Sequence, residues 1–336
     1  MHRAGPRISR FALRPIAGFP HRARRDRVDG IRGSWPGGVT LVGRTRIVTD
    51  STSDVPPEVA ARLRITVVPA YVQVANRSYR DVPSEGVPSE GVPSEGVPSE
   101  GFSRKEFYAQ LPAMSSMPTT AVPPAHEFTS AYRSLTDEAD EVIAIVVSAS
   151  LSGMYNVAHL GAQDAPELKV HVVDSGQISM GLGWMVVAAA EAAAEGQSAQ
   201  EILALVEDIK SRVRVYAMLD TLEYMRRSGR VSWARAKAAQ ILRIKPIVEV
   251  LLGKVHNVGQ VRTRRRAIER LVELVRAHAP LERLAILHTY APEVDDLCER
   301  LIDLCPSMQT FTVAVTTIIG AHVGPRGLGV AVVTAG

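Results

Sequence analysis

The sequence predicts an α/β protein in which a domain with a parallel sheet is followed by an α+β domain. An apolar, β-branched run at 142–147 leads through a cluster of serines into a helix-compatible segment, which is typical of a buried parallel strand. Strand and helix patterns alternate through the first half of the chain, whereas helices mix with closely spaced strands beyond Gly196. We therefore expect an N-terminal α/β domain at 46–181 and a C-terminal α+β domain at 182–336. The cleft between them is the natural place for a ligand.

The composition is that of an ordinary soluble globular protein, with 336 residues, 46% hydrophobic and 22% charged. The formal net charge is +4, but nine arginines and two aspartates give residues 1–43 a charge of +7. Residues 44–336 therefore carry −3, so the high isoelectric point does not indicate nucleic-acid binding by the folded part.

The first 45 residues are predicted to be a disordered basic extension, because they are rich in Arg, Gly and Pro and lack sustained periodicity. Such a segment fits an organellar transit peptide, a nucleic-acid-binding arm, or sequence upstream of the true start codon. We favour the last of these. The short apolar stretch at 16–19 is too brief for a secretory signal.

The elements of the first domain follow in order from residue 46. Strands are predicted at 47–50, 65–74, 142–147 and 169–174, and helices from Pro57, at 103–111, at 125–135 and at 180–196. Ser103 with Glu106 forms the pattern of a capping box at the start of its helix. Between them, VPSEG occurs four times at 82–101, a Pro- and Gly-containing repeat expected to be a flexible expansion of one surface loop.

The second domain mixes both element types. Strands are predicted at 214–220, 247–252, 255–261, 284–288, 310–315 and 327–334, and helices at 199–210, 233–242, 263–278 and 293–304. The Gly-rich stretch 324–329 precedes a strand, whereas a dinucleotide-binding fingerprint precedes a helix, so no such site is expected there.

The chain predicts a cytoplasmic protein without an integral membrane segment. The apolar segment 180–196 contains Glu191 and Glu195 and reads as a buried helix. The chain has two cysteines, Cys298 and Cys305, which are seven residues apart on a predicted helix. At 1.5 Å per residue their backbones are roughly 10 Å apart, which is too far for a disulfide. Two unpaired thiols suit a reducing compartment.

Hydroxyl groups dominate the four loops expected at the cleft. These loops are 50–54, Thr119 with Thr120, 148–152, and 174–179. The nine histidines show no metal-ligand spacing, and neither a nucleophile elbow nor a Walker A loop occurs. Hydroxyls without a general base favour binding over turnover, although serines at a strand-to-helix turn also serve as helix caps.

One set of residues supports a catalytic alternative. Asp50, Ser51 or Ser53, and His322 have the chemistry of a nucleophile set, as in a small-molecule hydrolase or a phosphotransfer subunit. A helix cap and a turn explain two of these three positions more simply. A third hypothesis, a DNA-binding regulator acting through the Arg-rich extension, ranks last.

Nine ordered blocks resemble the DegV family from residue 46 to the end of the chain. They are TDSTSDVPPE at 49–58, YRD at 79–81, PTT at 118–120, SASLSGMYN at 148–156, the DS…SMGLG block at 174–183, LDTLEYMRRSGR at 219–230, IKPI at 244–247, VRTRRRA at 261–267 and IIGAHVGPRGLG at 318–329. The resemblance implies a two-domain fatty-acid-binding protein. It also implies a separate kinase subunit that phosphorylates the bound carboxylate. The ligand that it implies is a long-chain fatty acid such as palmitate, and it implies no other cofactor.

The same resemblance implies which residues hold the carboxylate. Thr120 matches the threonine of the family's T-S-Q-P loop, but Ala149 replaces the second serine of its S-S-x-L-S-G turn. Ser148 and Ser150 are the neighbouring hydroxyls, while Arg262 and His322 match positions implicated near the carboxylate and the kinase contact. A surface salt bridge for Arg262 and a structural histidine for His322 are the competing interpretations.

Among the apolar residues, Met154, Met180, Leu182 and Met218 are candidate lining residues of the acyl chain site, with generic core packing as the alternative.

Overall fold

The computed structural model of the chain describes residues 44–75, 77–81, 103–236, 244–304 and 310–336. The strands are β1 (Thr45–Asp50), β2 (Thr66–Val68), β3 (Tyr71–Val74), β4 (Arg77–Arg80), β5 (Thr119–Ala121), β6 (Glu141–Val146), β7 (Lys169–Asp174), β8 (Val213–Met218), β9 (Lys245–Leu251), β10 (Lys254–Val261), β11 (Leu281–His288), β12 (Thr310–Ala314) and β13 (Leu328–Thr334). The helices are α1 (Pro57–Arg62), α2 (Arg104–Gln110), α3 (Ala125–Arg133), α4 (Met154–Gln163), α5 (Met180–Ala194), α6 (Ala199–Arg212), α7 (Glu223–Ser228), α8 (Ser232–Ala236), α9 (Arg264–Arg276), α10 (Val294–Leu301) and α11 (Thr317–Val323).

Four strands of the first half form a parallel sheet in the order β2-β1-β6-β7. Its central strand β6 is fully buried from Val142 to Val146, which its β-branched run predicted. The carboxyl ends of β1 and β6 open into the loops that carry Thr52 and Ser150, so both loops lie at one edge of the sheet.

A second, mixed sheet is built from the later strands in the order β10-β9-β8-β13-β11-β12. Neighbouring strands are antiparallel except for the parallel pair β11 and β12. One face packs into the large core that also contains the first sheet, and the other is covered by α9 and α10. A small antiparallel sheet, β4-β3-β5, places Thr120 beside β3. The α/β class with a parallel sheet and a further α+β part is confirmed.

Helix α5 packs against both large sheets, touching β1 and β6 on one side and β8, β11 and β13 on the other. Twelve of its fifteen residues are buried, which explains why the segment is apolar all round. No helix within the described ranges is long and apolar enough to cross a membrane. The predicted boundary at 181/182 falls inside this helix, and the division into two domains stays a prediction.

The expected single strand at 65–74 is wrong, because the segment forms two strands in different sheets. Thr66–Val68 is β2 of the parallel sheet, whereas Tyr71–Val74 is the middle strand of the small sheet. Pro69 separates them, and proline has no backbone N–H to continue the ladder.

The capping box at Ser103 is confirmed: its hydroxyl accepts from Glu106 N, and the Glu106 carboxylate accepts from Ser103 N. Several expectations fall on residues outside the described ranges. These are residues 1–43 of the basic extension, the VPSEG repeat, Cys305 and the second half of the helix predicted at 233–242, whereas Thr45, assigned to the extension, is the first residue of β1.

Candidate functional site

A cavity of about 450 Å³ lies where the edge loops of the parallel sheet meet α7, β10 and α11. Its polar part is formed by Thr120, Ser150, Ser152, Asn156, Arg230 and His322. Its apolar part comes mainly from Met154, Ile178, Met225, Val255, Ile319 and Val323. Of the four predicted loops, 50–54, 119–120 and 148–152 contribute to this lining, through Thr52 in the first case.

A smaller compartment of about 80 Å³ continues from this cavity. The two share five lining residues: Ile178, Met225, Val255, Ile319 and Val323. The inner compartment rests against β8, β9, β11 and β13 of the mixed sheet, and Ser179 of the fourth predicted loop lies on its wall. The two compartments therefore adjoin at these shared residues; the larger one has polar and apolar walls, and the smaller one is lined mainly by apolar groups.

Thr120 and His322 form the central polar pair of the outer cavity. Thr120 Oγ1 lies 3.1 Å from His322 Nε2. His322 Nδ1 is buried and has no hydrogen-bond partner within the described part of the chain. A buried N–H without an acceptor costs about 1–3 kcal/mol, so we assign the ring proton to Nε2, which donates to Thr120. The hydroxyl proton of Thr120 is then free for a ligand.

His322 is neutral at physiological pH. Burial, together with a smaller contribution from the positive charge of Arg230, lowers the pKa of His322 to about 4. A neutral imidazole donating through Nε2 fixes the orientation of the Thr120 side chain without adding a charge of its own.

Arg230 supplies a positive charge at the rim. The side chain is exposed and donates from Nη1 to Ser228 O at 2.8 Å. Arg262, which the resemblance implied near the carboxylate, is also exposed but is not among the residues that line the cavity. The sequence drew no attention to Arg230, because one arginine in a block with Arg226 and Arg227 carries no distinguishing signal.

Ser148 and Ser150 are engaged with each other and with a turn of the mixed sheet. Their hydroxyl oxygens lie 2.9 Å apart, and the Ser150 hydroxyl donates to Gly253 O in the β9–β10 turn. Gly253 N donates in turn to Gly176 O at 2.7 Å. Ser148 is fully buried, whereas Ser150 lines the cavity. Their hydroxyls therefore tie the two sheets together at the cavity wall.

Ala149 replaces a serine hydroxyl of the family turn, but the loop before α4 offers other hydrogen-bond donors to the cavity. Ala149 N donates to Asp174 Oδ1 at 3.0 Å, which fixes the loop. Ser152 Oγ accepts from Met154 N at 3.3 Å, but the N-cap of α4 is Gly153, which makes no side-chain capping bond. Ser152, Gly153 and Met154 line the cavity, so the Ser152 hydroxyl and the amino end of α4, which favours an anion, lie at its wall.

The residues of the catalytic alternative are hydrogen-bonded to other groups. Asp50 accepts from Val147 N at 2.8 Å and from Thr52 N at 2.9 Å, and burial raises its pKa. Ser51 Oγ accepts from Ala70 N at 3.1 Å, while His322 contacts Thr120. The hydrogen bonds described for these side chains do not join Asp50, Ser51 and His322 into a relay.

A buried carboxylate anchors the segment before α11. Asp54 accepts from Thr316 N at 2.8 Å and from Ser179 Oγ, and it pairs with Arg104 at 3.3 Å. Burial raises the pKa of Asp54 to about 7, while the charge of Arg104 and the two hydrogen bonds lower it and only partly offset the burial.

A second buried carboxylate, Asp81, accepts from the hydroxyls of Thr316 and Thr317. Both acids thus hold the amino end of α11, whose other end carries His322. Helix α11 is therefore positioned by Asp54 and Asp81, two carboxylates that line neither compartment.

Of the apolar candidates, Met154 lines the outer cavity and Met218 the inner compartment. Met180 and Leu182 are fully buried in the core and line neither.

The fold and the cavity together define a class: α/β proteins with one parallel and one mixed sheet around an internal cavity with a polar mouth. Within that class the chain belongs to the DegV family. The family model, described as an uncharacterised protein of the DegV family, matches residues 44–335.

Relatives match along nearly their whole length. A DegV domain-containing protein of Streptomyces coelicolor is 33% identical over 291 residues, covering 85% of this chain and 97% of the relative. Protein DegV of Bacillus subtilis is 29% identical over 290 residues, covering 84% and 97%.

Solved structures share the fold. A DegV family protein from Thermus thermophilus, described for its fatty acid binding, matches with a TM-score of 0.76 and 30% identity, covering 87% of this chain and all of the other. DegV from Bacillus subtilis, described as a fatty acid binding protein, matches with a TM-score of 0.74 and 28% identity over the same shares.

Proposed function

We propose that this protein binds a long-chain fatty acid, such as palmitate, with the carboxylate at Thr120 and the alkyl chain running towards the mixed sheet. The observation that carries the proposal is the Thr120–His322 pair at the polar end of a space whose inner end is apolar. The fatty acid binding described for the relatives from Thermus thermophilus and Bacillus subtilis supports it.

The apolar part of the cavity provides the driving force. Each buried methylene contributes about 0.8 kcal/mol, so a chain of about fourteen gains on the order of 10 kcal/mol before ordering costs. A carboxylate buried without partners would cancel much of this gain.

The polar end offers donors that meet that requirement. Thr120 donates its hydroxyl proton, Ser152 and the first turn of α4 add further N–H and O–H groups, and Arg230 adds a positive charge at the rim. Ala149 removes one hydroxyl relative to the family turn, so Thr120 becomes the principal neutral donor. Ser148 and Ser150 play a structural role in this arrangement, and Arg262 acts outside the cavity.

We further infer that the protein is a cytoplasmic carrier without turnover of its own and that a separate kinase phosphorylates the bound carboxylate. The position of Arg230 and Asn156, both exposed at the rim, supports access of a partner to the carboxylate end. ATP and palmitate added to the protein alone should then give no acyl phosphate, measured as hydroxamate after trapping with hydroxylamine. Product formed by the purified protein alone would favour the phosphotransfer alternative.

The head-group assignment is tested by titrating delipidated protein with palmitate and with hexadecanol. Thr120→Val keeps the shape of the side chain but removes the donor, so palmitate affinity should fall about tenfold or more, since a hydrogen bond to a charged group contributes about 1.5–3 kcal/mol. Hexadecanol, which presents no carboxylate, should lose less. Thr120→Ser, the matched control, retains the hydroxyl and should bind palmitate within a few-fold of wild type. Unchanged palmitate affinity in Thr120→Val would contradict the assignment.

A further inference from the structure

The inner compartment lies over a shallow depression in the mixed sheet. Four residues stand side by side across the strands β9, β8, β13 and β11, because their backbone pairings place them in one row: Val248, Ala217, Gly329 and Leu287. All four line the inner compartment. The two smallest residues occupy the middle of the row, between a valine and a leucine.

Gly329 keeps this depression open because its position admits no side chain without displacement. A Cβ there would lie 3.0 Å from Tyr216 O and 3.4 Å from the Cβ atoms of both Ala217 and Leu287. Ala217, in contrast, is partly accessible and presents a single methyl group to the compartment. The size of the residue at 217 therefore sets the depth of the space.

The polar side chains beside the depression are hydrogen-bonded to other groups of the protein. Ser179 donates to Asp54, Thr289 Oγ1 accepts from Gly327 N at 2.6 Å, and His288 Nδ1 accepts from Tyr290 N at 3.2 Å. The inner end thus offers an apolar surface that suits a methyl-terminated alkyl chain.

We propose that the depression formed by Ala217 and Gly329 receives the methyl end of the bound chain and sets the chain length that the protein prefers. This inference rests on the proposed function and deepens it, since it assigns the substrate class to chains long enough to enter the inner compartment. Ala217 is the specificity-determining residue, and Val248 beside it is the second wall of the same space.

The test compares two substitutions with opposite expected effects. Ala217→Leu fills the depression, so affinity for palmitate should fall relative to that for laurate, by about fourfold for each methylene displaced. Val248→Ala enlarges the compartment, so affinity for stearate should rise relative to that for palmitate. Each ratio is measured by competition against a fluorescent fatty acid on delipidated protein.

Ala285→Val is the matched control. Ala285 is fully buried on β11, two residues before Leu287, and lines neither compartment. The added volume crowds the core at a site away from both compartments, so it should leave the chain-length ratios unchanged. If Ala217→Leu does not fold, the opposite shift expected for Val248→Ala still decides the matter.

The outcomes separate the two proposals. A wild-type protein that binds no fatty acid of any length overturns the proposed function. A wild-type protein that binds palmitate, together with ratios in Ala217→Leu and Val248→Ala equal to those of Ala285→Val, overturns the length assignment alone.

Discussion

The Asp54 carboxyl is fully buried, yet it lies at the junction of three segments that position the cavity. Its pKa of about 7, against a usual value of 3.8, means that the folded state holds a proton that the unfolded chain has released between about pH 4 and 7. The contribution of this group to the free energy of unfolding is therefore greatest at low pH and is lost as the pH rises towards 7.

Asp54→Asn should remove this pH dependence. The free energy of unfolding of wild type, minus that of the variant, is expected to fall between pH 5 and 7 by up to about 1.4 kcal/mol per pH unit. Urea denaturation at several pH values measures both proteins, and the constant cost of leaving Arg104 without its carboxylate cancels from the slope. A difference that stays constant with pH would show that Asp54 is ionised throughout the range.

The candidate site residues were predictable only in part, and largely from the resemblance. Thr120 and His322 lie together as a pair, although they are 202 residues apart in sequence and nothing in the local pattern links them. Carboxylate binding by Ser148 and Ser150 stays a prediction, while the hydrogen bond from the Ser150 hydroxyl to Gly253 joins distant segments and is encoded by no local pattern. Arg230 was not singled out, because the sequence does not distinguish it from the neighbouring Arg226 and Arg227.

At the scale of the element, the β9–β10 turn shows how the mixed sheet closes the cavity wall. Gly253 has φ +79°, and a Cβ there would lie 3.0 Å from Ser148 Oγ and 3.1 Å from Ser150 Oγ. Val255, two residues further on, lines both compartments. The turn must therefore approach the serine loop closely for the wall to form.

Gly253→Ala should destabilise the protein by more than the backbone strain alone. Gly196→Ala is the control, because Gly196 has φ +83° but a Cβ there would meet no atom of the described residues within 4 Å. The left-handed conformation costs about 1–2 kcal/mol in both variants, and the contact with the serines adds to the cost at 253 only. Urea denaturation gives both values, and equal losses would contradict the close contact.

Elements with a strong pattern were predicted well. The buried helix at 180–196 is observed as α5, and the buried strand at 142–147 is observed as β6. Helix α11 was not predicted, because seven residues with two flanking threonines and an internal glycine show no clear period. Its position depends on Asp54 and Asp81, which are distant in sequence and become visible only in the folded chain.

At the scale of the whole molecule, the cavity is a product of both sheets. Thr120 and Ser150 come from the first half of the chain, whereas Arg230, Val255 and His322 come from the second. Hydrophobic patterns predict which strands are buried, but not the space left between them, because that space depends on how side chains from separate elements fill it. The fold was therefore predictable from the sequence, while the depth and shape of the cavity were not.

The most direct test is to identify what the cavity holds in protein purified from cells grown with ample fatty acids. Mass spectrometry of an organic extract, taken after the protein is denatured, should reveal a long-chain fatty acid in near-stoichiometric amount. A buffer wash of the native protein should release little of it. An extract without fatty acid, from folded protein prepared in this way, would contradict the account.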